Sequence, residues 1–375
     1  MRTSEPGDGP VDPQGPPGQA VPPELERGDT EFGDELGRGA ISTGSLPEAS
    51  AVDALLRETH ARYLPSDEGR IADYVPALAA ADRSWFALSL ADTRGRVHAV
   101  GCADRSFSIQ SISKVFVFAL VCERLGHRAA WEAVGVNNTG LPYDSVMALE
   151  LNGGSPMNPM CNAGALVTTG LVPGDGAADK WTFVQDGLSA FAGRRLELDV
   201  AVYESEAATN QRNRGIARLL ESYGRLPFDP LESTDVYTRQ CALTVTTRDL
   251  AVMGATLADG GMNPLTGVQV VRPGTCRRVL AAMAASGLYE RSGDWLYDIG
   301  LPGKSGVSGG IVAVAPGKCA LASFSPPLDT AGNSVRGQRA ARRLSRTLGL
   351  NLFASAPVGR APRAARASAS DPKAR

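Results

Sequence analysis

Two pairs of apolar strands at opposite ends of the chain limit what it can fold into. The first pair reads "SWFALSLADTRGRVHAVG", residues 84–101, with a turn predicted at Asp92 to Gly95. The second pair reads "GGIVAVAPGKCALASFSP", residues 309–326, with its turn at Pro316-Gly317. Because helical patterns fill the space between them, we predict an α+β fold whose antiparallel sheet is built from both ends of the chain and flanked by helices.

The middle of the chain predicts a helical subdomain. The segment "SPMNPMCNAGALVTTGLV" has a start signal followed by an apolar run, and "EAATNQRNRGIARLLESYG" ends at a glycine, Gly224. A third segment, "TVTTRDLAVMGATLADGG", opens on Thr and Asp and stops at Gly-Gly. Each of these patterns is typical of a helix with its own start and stop.

Composition divides the chain into three parts. Residues 1–46 are acidic and rich in Pro and Gly, and residues 354–375 are basic and rich in Ala, Arg, Ser and Pro. Neither segment can bury enough apolar surface to offset the entropy cost of ordering it, so both are predicted to be disordered tails. Residues 47–353 form one continuous globular pattern, which we interpret as a single domain.

The net charge and the hydropathy of the chain limit which kinds of molecule it could bind. The chain has 38 basic and 40 acidic residues and a net charge of −2, which gives no electrostatic basis for binding nucleic acid. No apolar run approaches the roughly 18 to 20 residues of a membrane helix, and no secretory signal pattern is visible. The six cysteines are too far apart for a zinc motif, and we expect reduced, mostly buried thiols in a cytoplasmic protein.

The segment "DRSFSIQSISKVFVFALVCERLG" places serines and a lysine at the head of an apolar run. We predict a helix here with Ser108 as N-cap and Gly126 at its end. On such a helix Ser111 and Lys114, at i and i+3, share one face near the N-terminus, whereas Ser113 faces elsewhere and serves packing or hydrogen bonding. Desolvation would lower the pKa of Lys114, so its amine could take the proton of Ser111.

A second motif strengthens this otherwise weak SxxK signal. "LPGKSGVSGG" places Lys304-Ser305-Gly306 just before the C-terminal strand pair. An early SxxK and a late K-[ST]-G are typical of acyl-serine enzymes with the β-lactamase or DD-peptidase-like fold. The three histidines, at positions 60, 98 and 127, lack a catalytic context, so a Ser-His-Asp triad and a histidine metal site are poorly supported.

Five segments in order resemble the serine-dependent glutaminases: "FSIQSISKVF", "NPMCNAGAL", "YESEAATNQRNRGIA", "YTRQCAL" and "SGLYERSGDWLYDIGLPGKSGVSGGI". The resemblance spans about residues 47–352. It implies a β-lactamase-like fold and hydrolysis of L-glutamine to L-glutamate and ammonia, with no metal or cofactor. It also implies a homodimer or homotetramer.

The resemblance assigns roles to particular residues. It implies that Ser111 is the nucleophile, Lys114 its activating base, and Tyr74 and Tyr237 the active-site tyrosines. The implied substrate-binding residues are Ser111, Asn162, Glu206, Asn213, Tyr237, Tyr289 and Val307, with Gln110 as a possible further contact. Glu206 suits the substrate ammonium, and the backbone N–H groups of Ser111 and Val307 would hold the oxyanion.

Two other functions remain open at this point. A serine hydrolase acting on β-lactams or peptidoglycan would use the same SxxK and KSG motifs, but it would be exported and would not need Glu206. A non-catalytic glutamine sensor would bind glutamine without turning it over. The intact Ser111, Lys114 and Tyr237 argue against the sensor.

Overall fold

The structure, a computed structural model, describes residues 45–354; the segments predicted to be tails therefore lie almost entirely outside the described residues. A five-stranded antiparallel sheet has the order β2-β1-β7-β6-β5, and two short strands, β3 and β4, pair separately. The strands are β1 Ala87–Asp92, β2 Val97–Gly101, β3 Phe107–Ser108, β4 Thr244–Val245, β5 Gly303–Ser305, β6 Gly310–Ala315 and β7 Cys319–Phe324.

The central pairing of the sheet joins the two ends of the described chain. Strand β1 lies antiparallel to β7, with Ala87 opposite Phe324 and Asp92 opposite Cys319. Both predicted strand pairs form hairpins, β1–β2 and β6–β7, and Gly95 and Gly317 have positive φ in their turns. The predicted sheet built from the two extremes is confirmed.

Fourteen α-helices and two short 3₁₀ turns surround the sheet within residues 45–354. The first seven helices are α1 Ala49–Tyr63, α2 Pro76–Ala79, α3 Ser113–Leu125, α4 His127–Val134, α5 Val146–Leu151, α6 Asn162–Gly170 and α7 Ala177–Ala192. The others are α8 Val200–Thr209, α9 Gln211–Ser222, α10 Pro230–Cys241, α11 Thr247–Ala258, α12 Pro273–Ser286, α13 Ser292–Ile299 and α14 Val335–Thr347. The 3₁₀ turns are Gln110–Ile112 and Tyr289–Arg291.

The sheet has a different helical cover on each face. Helices α1 and α14 bury apolar side chains such as Val52, Leu56 and Leu344 against one face. Helix α11 lies on the other face, where Gly254 allows close approach: a Cβ built there would be 2.6 Å from the Ala320 Cβ. Helix α11 begins with a capping box between Thr246 and Asp249, as its predicted Thr/Asp start implies.

Helix α3 forms the centre of the molecule, because its residues 113–122 are all buried. Its end at Leu125, followed by Gly126 with φ 86°, confirms the predicted stop. Its predicted start is wrong. Ser108 does not cap it but lies in β3, opposite Thr244, and the next residue, Ile109, donates its N–H to the Leu243 carbonyl. This pairing holds the chain as a strand up to Ser108. Ile109 already has helical dihedral angles, and the 3₁₀ turn that follows leads into the helix.

The segment 206–224 also differs from its prediction. Its pattern indicates one helix ending before Gly224, but α8 ends at Thr209 and α9 begins at Gln211. The break at Asn210 turns the chain, so Glu206 and Asn213 belong to different helices. The side-chain amide of Asn210 donates to the Thr238 hydroxyl at 2.6 Å, which holds this corner on α10.

Within residues 45–354 no helix combines the length and hydrophobicity that crossing a membrane requires.

Candidate active site

Ser111 lies in the 3₁₀ turn that precedes helix α3 and is 8% exposed. The residue before it, Gln110, has φ 51°, one of two non-glycine residues with positive φ among the described residues; the other is Tyr289, at 58°. The Ser111 side chain lies near enough to the Tyr289 hydroxyl to lower its pKa, although burial raises that pKa overall. Backbone conformations of this kind cost about 1–3 kcal/mol and cluster at functional sites.

Lys114 follows in the first turn of α3 and is only 1% exposed. Its amine donates to the carbonyl of Met160 at 3.1 Å and to the side-chain oxygen of Asn162 at 2.7 Å. Burial lowers the pKa of Lys114 to about 8, since no carboxylate is bonded to the amine in the described part of the chain. About a tenth of this lysine is therefore an uncharged base at pH 7, against less than about one part in a thousand for an ordinary lysine, which favours its predicted role.

Strand β5 runs directly against the turn that holds Ser111. A Cβ built on Gly306 would be 3.0 Å from the Ile109 carbonyl oxygen and 3.1 Å from the Gln110 Cβ. The glycine of the KSG motif therefore allows backbone to lie on backbone at this point. The side chain of the next residue, Val307, is buried with Ala72 and Leu328.

Glu206, on α8, lies next to Gln110 and accepts a hydrogen bond from its side-chain amide. The same amide nitrogen also donates to the Ser108 hydroxyl at 3.1 Å. Burial raises the pKa of Glu206 to about 7, while the bond from Gln110 acts in the opposite direction. A partly buried carboxylate with this pKa is suited to a cationic ligand group, whose charge would stabilise its ionised form.

Two asparagines connect the lysine to helix α9. The amide nitrogen of Asn162 donates to the side-chain oxygen of Asn213 at 2.8 Å, while its oxygen accepts from Lys114. The backbone N–H of Asn162 donates to the Tyr143 carbonyl at 2.8 Å. The structure therefore brings Asn162 and Asn213 together, although 51 residues separate them.

Three of the tyrosines extend the site. Tyr237, on α10, is 4% exposed, and its ring centroid is 5.7 Å from the Lys114 amine. Tyr289 is 5% exposed, and its hydroxyl donates to the Ser305 carbonyl at 3.3 Å. Burial raises the pKa of Tyr237 well above its usual value, so its hydroxyl is protonated at neutral pH. Tyr74 is 57% exposed, and the nearby Tyr143 contributes to raising the pKa of its hydroxyl.

The structure adds two residues that the sequence interpretation did not assign to the site. Tyr143 lies between two predicted site residues, because its ring centroid is 4.7 Å from that of Tyr289 and it is near enough to raise the pKa of the Tyr74 hydroxyl. A tyrosine in an irregular loop carries no periodic signal. Lys304 was noted only as part of a motif, but its amine lies 4.3 Å from the Tyr289 ring centroid.

The described residues contain no group of three or more His, Cys, Asp or Glu side chains that could hold a metal ion. All six cysteines lie in this part of the chain as free thiols, and four of them are buried.

A family model described as Glutaminase matches residues 69–353. The chain belongs to the glutaminase family. "Glutaminase 2" of Yersinia pestis is 53% identical over 317 residues, which are 84% of this chain and 93% of that protein. A glutaminase of Brucella canis is 49% identical over 305 residues, 81% of this chain and 96% of its own length.

Solved glutaminases have the same architecture. A probable glutaminase, ybaS, aligns with a TM-score of 0.81 at 43% identity, covering 82% of this chain and all of that one. A Bacillus glutaminase aligns with a TM-score of 0.74 at 31% identity, covering 80% of this chain and all of that one. The predicted β-lactamase-like fold and the predicted glutaminase enzyme are therefore confirmed.

Proposed function

We propose that this glutaminase hydrolyses L-glutamine to L-glutamate and ammonia through an acyl-enzyme formed on Ser111. The observation that carries the proposal is the buried amine of Lys114, which has a pKa of about 8 and lies one helical turn from Ser111. The turn that holds Ser111 lies against the end of strand β5, where Gly306 allows the close contact. The glutaminase relatives support glutamine as the substrate.

In the first step the Lys114 amine takes the proton of Ser111, whose oxygen attacks the side-chain amide carbon of the substrate. The resulting oxyanion lies between the backbone N–H groups of Ser111 and Val307. The C–N bond then breaks, and ammonia leaves with a proton supplied through Tyr237 or from Lys114. Water attacks the ester, and glutamate and free Ser111 result.

The substrate's charges are matched by the polar residues around the serine. Glu206 pairs with the α-ammonium in a charge-assisted hydrogen bond. Asn162, Asn213 and the hydroxyls of Tyr237 and Tyr289 supply hydrogen bonds to the carboxylate and the amide. Tyr74 closes the site at its rim, and Gln110 holds Glu206 beside the nucleophile.

Ammonia release from glutamine and from asparagine, measured side by side for the wild type and Ser111→Ala, tests the proposal. We expect release from glutamine by the wild type and a loss of at least about 10⁴-fold in kcat for Ser111→Ala, since removal of a catalytic nucleophile has effects of this size. Mass spectrometry of Lys114→Met with glutamine should show no acyl-enzyme. Undiminished turnover by Ser111→Ala would contradict the mechanism.

We also propose that residues 47–353 form one catalytic domain in a cytoplasmic homo-oligomer, a dimer or tetramer, as the resemblance to the serine-dependent glutaminases implies. Light scattering of the purified protein measures the assembly, and a monomer mass of 39.2 kDa would contradict it. Limited proteolysis should remove both flanking segments and leave an active core.

A further inference from the structure

Helices α3, α6 and α10 each carry a residue of the proposed site, and they also share a chain of buried polar side chains that the proposed reaction does not use. The members of this chain are Ser113, Gln240 and Thr169, and each is at most 1% exposed. A hydroxyl or an amide is costly to bury unless it is hydrogen-bonded. Where these side chains direct their hydrogen bonds therefore shows what they can do.

The hydrogen bonds run from helix α10 toward the nucleophile. The Gln240 amide nitrogen donates to the Ser113 hydroxyl at 3.2 Å, and that hydroxyl donates to the Gln110 carbonyl oxygen at 2.7 Å. On the other side, the Gln240 amide oxygen lies 3.3 Å from the Thr169 hydroxyl, which also donates to the Ala165 carbonyl at 2.9 Å. The chain therefore ends on the backbone carbonyl of the residue that precedes Ser111.

That carbonyl belongs to the same peptide unit as the N–H of Ser111, one of the two proposed oxyanion donors. No peptide bond among residues 45–354 is cis, so this carbonyl and this N–H lie in one plane and point in opposite directions. Ser113 holds the Gln110 carbonyl oxygen with both its hydroxyl and its backbone N–H. Fixing the oxygen on this side fixes the direction of the Ser111 N–H on the other. The hydrogen bonds also polarise the peptide unit, which makes its N–H a stronger donor.

Helix α10 connects this contact to the proposed catalytic base. Gln240 follows Tyr237 by three residues, so the two side chains lie on the same side of the helix. The Tyr237 ring centroid is 5.7 Å from the Lys114 amine, while the Gln240 amide bonds to the adjacent Ser113. One helix contact therefore places the tyrosine at the base and the amide at the residue that holds the peptide before the nucleophile.

We propose that Ser113 and Gln240 are positioning residues for the hydrolysis: Gln240 orients the Ser113 hydroxyl, the hydroxyl holds the Gln110 carbonyl, and the shared peptide unit aims the Ser111 N–H at the oxyanion and polarises it. The inference rests on the proposed serine mechanism. Both side chains act through the backbone of the nucleophile turn. Because the oxyanion forms only as the reaction proceeds, their effect belongs to kcat and not to KM.

Ser345 provides a matched control for Ser113. It is also 0% exposed, and its hydroxyl also donates to a backbone carbonyl, that of Ile299, at 2.6 Å. It lies in helix α14, beside an apolar cluster that contains none of the proposed site residues. Ser345→Ala therefore removes the same kind of buried hydrogen bond away from the proposed site.

The experiment compares kcat, KM for glutamine and Tm for the wild type, Ser113→Ala, Gln240→Met, the double variant and Ser345→Ala. We expect Ser113→Ala to lower kcat about 10- to 100-fold with KM within about three-fold, as a misplaced oxyanion donor produces. Gln240→Met keeps the Ser113 hydroxyl, so its loss of kcat should be smaller, at about two-fold or more. Ser345→Ala should keep kcat within about two-fold, whatever its Tm, because it changes no contact of the transition state.

The double variant separates positioning from stability. Ser113→Ala leaves the buried Gln240 amide without its acceptor, which should lower Tm, and adding Gln240→Met removes that unpaired group. The double variant should therefore have a higher Tm than Ser113→Ala but the same low kcat within about two-fold, since Gln240 acts only through Ser113. A merely structural role would restore kcat together with Tm.

Each outcome decides between the two proposals. Wild-type kcat in Ser113→Ala, an equal loss in Ser345→Ala, or a double variant that regains kcat with Tm overturns the positioning role, while an inactive Ser111→Ala leaves the serine mechanism intact. Activity in Ser111→Ala instead overturns the mechanism itself. If Ser113→Ala does not fold, the double variant replaces it under the same kcat criterion, because it buries no unpaired amide.

Discussion

Two side chains of the site, Glu206 and Lys114, have pKa values brought close to neutrality by burial from opposite directions. Glu206 is raised to about 7 and Lys114 lowered to about 8. Each has its proposed active form at the higher pH, because the carboxylate must be ionised to hold an ammonium and the amine must be uncharged to accept a proton. Acidification should therefore affect binding and chemistry together.

The first prediction concerns the pH dependence of kcat/KM for glutamine. Below about pH 7 both Glu206 and Lys114 are protonated in the free enzyme, so kcat/KM should rise with a limiting slope of two on a logarithmic plot and level off above about pH 8. Glu206→Gln should reduce that slope to one and raise KM by about 10-fold or more, since it loses a hydrogen bond to a charged group. A profile that is flat from pH 5 to 9 would contradict both assignments.

The second prediction concerns Gln110, which combines a left-handed backbone with a bond to Glu206. Gln110→Gly should raise KM about 10-fold, because the carboxylate loses its donor, and should leave Tm almost unchanged, because glycine relieves the backbone strain. Since that bond lowers the pKa of Glu206, the acid side of the profile should move to higher pH. Gln110→Ala keeps the strain and should have a lower Tm than the glycine variant; equal Tm values would argue against strain at this position.

Candidate site residues could be chosen from the sequence where a local rule applied. Spacing alone selected Ser111 over Ser108 and Ser113, because i and i+3 share a helix face. The resemblance to a known family named the others. Tyr143 and the contact of Lys304 with Tyr289 were not predictable, because they depend on loops and strands that meet only in the folded chain. The positive φ of Gln110 was also not predictable, because glutamine is not a residue type that favours this conformation.

At the level of elements, strand β5 and the Ser111 turn meet through Gly306. The third prediction is that Gly306→Ala lowers kcat about 10- to 100-fold, because the new methyl group lies 3.0 Å from the Ile109 carbonyl oxygen and pushes Val307 away from the serine. Gly215→Ala, in helix α9 with nothing within 4 Å of the new methyl group, should leave kcat unchanged and raise stability by up to about 1 kcal/mol. Equal kcat values for the two variants would count against the contact.

The start of helix α3 shows why the ends of some helices could not be predicted from the sequence. Ser108 is an excellent N-cap by residue type, but β3 pairs with β4, more than 130 residues further along the chain. Ser108 therefore belongs to a strand, and Ile109 donates its N–H to the Leu243 carbonyl before the 3₁₀ turn begins. A long-range strand contact thus overrides a local capping preference. The break at Asn210 has a similar cause, because Asn210 bonds to Thr238 on another helix.

At the level of the whole molecule, helix α11 connects the sheet to the helical part. The fourth prediction is that Gly254→Val destabilises the protein by about 1–3 kcal/mol or more, because its side chain would overlap Ala320 and Val312. Chemical denaturation measures the free energy of unfolding. A side chain at Gly254 would meet Ala320, Val312 and Val314 and none of the proposed catalytic residues, so the folded fraction should keep its kcat. A stable variant with lowered kcat would show instead that the helix acts on the site.

The architecture was predictable because apolar runs separated by turn residues such as Gly and Pro identify β-hairpins at both ends of the chain. The order of the strands was not, since pairing β1 with β7 depends on the register of two distant segments. The same long-range pairing decides where the site forms: Ser111 follows the first hairpin and Val307 precedes the second. Neither hairpin alone carries both proposed oxyanion donors.

That pairing has a consequence during translation. Strand β1 starts at Ala87 and its partner β7 at Cys319, so about 230 residues must be added before β1 gains its second neighbour. At roughly 5–20 residues per second the ribosome needs about 10–50 s for this. The nascent chain carries its nucleophile throughout, with an apolar strand edge open to other chains. From this topology we expect chaperones to bind the nascent chain in that interval. We also expect every product that terminates before β7 to be inactive.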